Sequence, residues 1–178
     1  MKKIALFFAS AAALMGAQAA QAVTYRPPGT HTFTGALTVS KGLTLSCTAR
    51  FTVVVPNVNP DGHTVFTPVL ATDPAHGHTA TVTAGTLSGT LCGAVTLTGF
   101  PWTVTTSGVV GSSVTFNPVS ATTITPGNCG PAPLVGTLTA PNAINFASAT
   151  LPPGTPGTGN CVISGTITSS TFRVDPTP

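Results

Sequence analysis

Asp61, His63, Asp73, His76 and His78 crowd into one short stretch of the chain. Imidazole and carboxylate are the usual ligands of zinc and copper, so the stretch is a candidate metal site. It also carries Pro56, Pro60, Pro68 and Pro74, with an Asp61-Gly62 turn signal and a glycine between His76 and His78. That punctuation describes a loop over about 56–78, decorated with small polar side chains. The composition favours this plain loop over a built metal centre.

Four cysteines, Cys47, Cys92, Cys129 and Cys161, are the second chemical feature. No C-x-x-C pair is present, which weakens a zinc-thiolate reading. In an exported chain they predict two disulfides, with three pairings open. Spacing favours Cys47 with Cys92 and Cys129 with Cys161, each bridge within one half of the chain. In the chain-entropy model each would contribute roughly 4 kcal/mol.

Catalytic groups are scarce. Asp61, Asp73 and Asp175 are the only carboxylate side chains, and there is no glutamate. No G-x-S-x-G elbow, P-loop or G-x-G-x-x-G fingerprint occurs. The inventory predicts a protein that is not an enzyme and carries no cofactor.

Export is legible at the start. Lys2 and Lys3 precede an apolar run from Ile4 to Met15, and Ala20-Gln21-Ala22 forms a small-x-small cleavage site. The run is too short to span a bilayer, so residues 1–22 read as a signal peptide. The expected destination is the cell surface or medium, with the periplasm also open. Residues 23–178 then form one domain, with no transmembrane anchor. Without the leader, Arg26, Lys41, Arg50 and Arg173 stand against the three aspartates. So balanced a chain offers no basic patch for nucleic acid. Charged residues make up 5% of the sequence, far below the roughly 25% of ordinary globular domains. A neutral, threonine-rich surface favours self-association or residence at an interface.

The elements that position these groups are strands. From Leu43 to Val55 the odd positions hold Leu43, Leu45, Cys47, Ala49, Phe51, Val53 and Val55. Polar residues fill most of the even ones, which is the period of a half-buried strand. Leu37 and Val39 continue the pattern upstream, with a break near Lys41-Gly42. Ala80, Val82 and Ala84 alternate, as does Leu87 to Leu97. Parity then switches: Val95 and Leu97 are odd, whereas Phe100, Trp102 and Val104 are even. A bulge or bend at Gly99, with Pro101 beside it, would return the apolar side chains to the core. Further strands are expected at Val114–Phe116, Leu134–Leu138, Ile144–Phe146, Val162–Ile167 and Phe172–Val174, with a short one through Val65 and Phe66. Pro152 to Gly157 is expected to be an irregular surface loop. Short strands at short spacing predict a single-domain all-β fold, an antiparallel β-sandwich stapled by disulfides. Trp102 and Phe100 are the candidate apolar contacts, with Trp102 favoured as a core residue.

Three segments carry a family likeness: Cys92-Gly93 running to Gly99-Phe100-Pro101-Trp102-Thr103-Val104, then Asn128-Cys129-Gly130-Pro131, then Gly159-Asn160-Cys161-Val162-Ile163. In this order, behind a leader and a cysteine in a threonine-rich strand, they resemble the secreted activators of alkane oxidation, the PraB-type proteins. The resemblance implies a surface or extracellular protein that aids use of hydrocarbons at the oil–water interface without oxidising them. The expected partner is a hydrocarbon or another apolar interface. The alternative is a structural subunit of a filament or matrix, a homo-oligomer built through strand edges, with Val23 to Thr34 as an extended lead.

Overall fold

The computed structural model describes residues 23–56, 80–123 and 127–176. The leader, the Asp61–His78 cluster and the expected strand at Val65 and Phe66 lie outside the described residues. In order, the elements are β1 (Val23–Arg26), β2 (Gly29–Lys41), β3 (Leu43–Val55), β4 (Ala80–Ser88), a 3₁₀ turn at Cys92–Ala94, β5 (Val95–Thr98), β6 (Trp102–Thr106), β7 (Ser113–Thr123), β8 (Gly127–Ala140), β9 (Ala143–Leu151), β10 (Pro153–Gly157), β11 (Cys161–Thr168) and β12 (Arg173–Pro176).

The expected sandwich is wrong. The strands follow one another as β8-β9-β11-β2-β3-β4-β6-β7, and β7 pairs back onto β8. Eight antiparallel strands therefore close into a barrel. Inward and outward residues alternate in a barrel as they do in a sandwich, so parity alone could not separate the two. Closure depends on distant pairings. Strand β2, near one end of the described chain, pairs with β11, near the other, from Thr34↔Thr168 to Ser40↔Val162.

The β2–β3 hairpin is the longest ladder, from Gly29↔Val55 to Lys41↔Leu43. Its odd positions point inward as the alternation requires: Phe33, Leu37, Cys47, Ala49, Phe51, Val53 and Val55 are all buried. Strand β4 departs from the expected pattern. A register shift between Thr52 and Val53 of the facing strand re-phases it, so Ala84 points outward while Gly85 and Leu87 turn towards the interior. Pro153–Gly157 is also not irregular. It forms β10, a short outer strand on the start of β8. An edge strand, paired on one side only, is where proline is tolerated in a sheet. Nor is Val23–Thr34 a free lead, because β1 pairs with β12 and the rest enters the barrel.

One end of the barrel is closed. The β1–β12 ribbon lies there, with Tyr25, Phe172 and Val174 buried beneath it. Phe172 meets Phe33 edge-on, ring centroids 5.0 Å apart, and Tyr25 at 5.8 Å. His31 is buried beside them. Its Nε2 donates to the carbonyl of Pro27 at 2.7 Å, and its Nδ1 is hydrogen-bonded with the Thr171 hydroxyl at 3.1 Å. Packing is nearly complete in this half, where the residual void is about 10 Å³.

Candidate functional site

The other half of the barrel is hollow, and the bend at Gly99 explains why. Strand β4 pairs with β6 only from Ala80↔Val104 to Val82↔Trp102. Beyond that point the chain of the neighbouring wall turns at Gly99-Phe100-Pro101, and β5 pairs only with β7. Strands β4 and β5 are therefore neighbours that share no ladder. Gly99 makes the turn at φ +78, a backbone conformation that favours glycine.

Inside this half of the barrel lies an apolar cavity of about 290 Å³. Phe51, Trp102, Leu134 and Phe146 line it towards the packed half. Phe51 and Trp102 are 6.0 Å apart between ring centroids. Gly85 lines up with this layer from β4: a Cβ there would lie 2.8 Å from Phe51 and 3.0 Å from Leu97. Any side chain at that position would have to displace the aromatic ring or fill the space beside it. Leu37, Leu87, Val95, Leu97, Ala121 and Ile163 form the sides. An eight-stranded barrel has an interior just large enough to be filled by side chains or to hold one small ligand. This one does the first in its closed half and has room for the second in its open half.

The open end has two unusual features. Leu43 and Leu91 both line the cavity and are 59% and 62% exposed, so its rim is apolar where it meets water. Leu91 also holds a left-handed backbone at φ 64, which costs a side-chain-bearing residue about 1–2 kcal/mol. Lys41 stands at the same end, as the register partner of Leu43. It occupies an inward position of β2, lines the cavity and is only 7% exposed. Its Nζ reaches over to β8 and donates to the carbonyl of Gly127 at 2.9 Å and to that of Asn128. The Thr123 hydroxyl donates to the same Gly127 oxygen.

Both disulfides sit at this end. Cys47 of β3 is bonded to Cys92 of the 3₁₀ turn, tying the rim segment that carries Leu91 to the barrel wall. Cys129 of β8 is bonded to Cys161 of β11, and both residues line the cavity.

The structure places Trp102 at 1% exposure in the cavity lining. Phe100 is half-buried and stacks on it at 4.4 Å. His63, His76, His78, Asp61 and Asp73 lie outside the described residues. Among the described residues no group of three or more metal-ligating side chains comes together, and no helix is long and apolar enough to cross a membrane. Lys41 escaped the reading of the sequence, although its signal was present: it continues the odd positions of Leu37 and Val39. The break assumed at Lys41-Gly42 hid a lysine on the inward face.

A family model described as alkane oxidation protein activator PraA/PraB-like matches residues 1–176. No curated protein and no solved structure matches the chain.

Proposed function

The chain belongs to the PraA/PraB-like family of alkane oxidation protein activators, and from that premise we propose that it is an exported, non-catalytic protein that takes one hydrocarbon chain into the open half of its barrel. The observation that carries this reading is the apolar cavity of about 290 Å³ with exposed Leu43 and Leu91 at its rim. The rim residues rest against an oil–water boundary and the cavity receives a chain from it. Burial of apolar surface from water is worth roughly 25 cal/mol per Å², which supports both adsorption and uptake. Two disulfides suit an oxidising compartment, in keeping with the leader read over residues 1–22. Catalysis stays with other proteins, and this one holds apolar chains that water alone cannot carry.

The test uses a dye that fluoresces in apolar surroundings, bound to the purified protein and displaced by dodecane. Displacement is expected with wild type. In A121F, which puts a ring into the cavity from β7, displacement is expected to fall at least tenfold. Failure of the wild-type protein to bind either dye or alkane would sink the proposal.

A further inference from the structure

A purely hydrocarbon ligand leaves one feature of the cavity without a purpose. Among the described residues Lys41 is the only charged one in the lining. Burying an ammonium is costly unless its hydrogens are bonded and its charge is matched. The carbonyls of Gly127 and Asn128 take two of its hydrogens. Among the described residues the third has no acceptor. Carbonyl dipoles ease the burial of the charge but do not neutralise it.

We infer that the preferred occupant is a medium- to long-chain carboxylate, with its chain in the cavity and its carboxylate on Lys41 Nζ. This rests on the cavity reading above and adds the identity of the head group. A lysine ammonium that lines an apolar cavity matches a carboxylate oxygen in both charge and donor sense, and the resulting bond is charge-assisted. An alkane offers this group nothing, whereas terminal oxidation of an alkane ends in such a carboxylate. The barrel therefore favours the oxidised chain over its parent, and it binds the product class of the chemistry its family promotes. Leu43 and Leu91 at the rim admit a chain of either kind, so selection falls to Lys41.

The experiment is calorimetric titration of the disulfide-bonded protein with decanoate and with decan-1-ol, which share a chain length and differ in charge. Decanoate is expected to bind about 10- to 100-fold more tightly, the range for a hydrogen bond between charged groups. K41M is expected to lose that preference, and K41R to retain it. A wild-type measurement stands apart from the folding of any variant: the carboxyl carbon of labelled decanoate, followed by NMR, should titrate at lower pH when bound than when free, because a neighbouring ammonium favours the ionised form. Equal affinities for the two ligands, or an unmoved or raised titration, overturn the carboxylate assignment and leave the cavity reading standing. Binding of neither ligand overturns both.

Discussion

The indole N–H of Trp102 donates to the carbonyl oxygen of Thr98 at 2.9 Å, spanning the three residues over which the barrel wall turns. The bond holds the bend in shape from inside. Below it β6 stays in the ladder with β4, and above it β5 pairs with β7 alone and lines the cavity. Trp102 is thus both the fastener of the turn and part of the cavity lining.

Two substitutions separate these roles. W102F keeps most of the apolar body and removes the donor, leaving the Thr98 carbonyl short of a partner. It should cost about 1–3 kcal/mol. W102A also opens a void in the most buried layer and should cost about 3–5 kcal/mol. Urea unfolding of both variants reads the difference, and a W102A loss no larger than that of W102F would show that the ring's packing contributes nothing.

Much of this arrangement was legible from residue types. The parity switch at Gly99 announced the bend, and the odd positions of Leu43–Val55 gave the inward face of β3, because a period of two follows directly from strand geometry. Closure into a barrel was not legible, since it is decided by pairings between remote strands such as β2 and β11. A proline-rich strand such as Pro153–Gly157 was hidden for a different reason: its neighbour supplies the ladder on one side only. The cavity was invisible because it is a property of side chains that do not meet, and Gly85 reveals that only once Phe51 and Leu97 are seen beside it.

Chain length provides a measure of the cavity. A methylene takes roughly the 30 Å³ that a water molecule occupies in the liquid, so the space of about 290 Å³ holds on the order of ten carbons. Each buried methylene contributes about 0.8 kcal/mol, or close to fourfold in affinity. Dissociation constants for a homologous carboxylate series should therefore fall about fourfold per carbon and level off near ten to twelve. A series that keeps improving to sixteen carbons at the same slope would mean that the chain lies elsewhere, along the outer surface.

The Cys47–Cys92 bridge closes a loop of sequence separation 45, for which the chain-entropy model gives about 4 kcal/mol. The double variant C47A/C92A should lose stability of that order in urea unfolding. It should also free the rim segment, so amide exchange at residues 89–94 is expected to quicken before the barrel strands open. Unchanged exchange there would show that the 3₁₀ turn is held by other contacts.

Leu91 places an apolar side chain in water on a strained backbone, a pairing that stability alone does not favour. L91G should relieve the left-handed strain and raise stability by up to about 1 kcal/mol, since the entropy glycine loses on folding offsets part of the gain. The same change removes half of the apolar rim, so adsorption to hexadecane droplets should weaken. Higher stability with undiminished adsorption would remove Leu91 from the proposed contact with oil.

Tyr25 makes the closed end sensitive to alkali. It is the chain's only tyrosine. Its hydroxyl donates to the Val104 carbonyl at 3.2 Å, and burial pushes its pKa from 10.0 up to about 12. The folded state therefore holds the phenolic proton more tightly than the unfolded chain does. The stabilisation is fully present below pH 10 and is lost as the pH climbs from 10 to 12, where the unfolded phenol ionises and the buried one does not. Linkage puts the loss at about 2–3 kcal/mol. Urea unfolding at steps from pH 8 to 11.5 should show this decline in wild type, and phenolate absorbance should rise only as the protein opens. Y25F should be about 1 kcal/mol less stable at pH 8 for want of the hydrogen bond, yet its stability should change far less above pH 10. If Y25F falls as steeply as wild type, the alkaline limb belongs to another group and the β1–β12 ribbon does not depend on a protonated phenol.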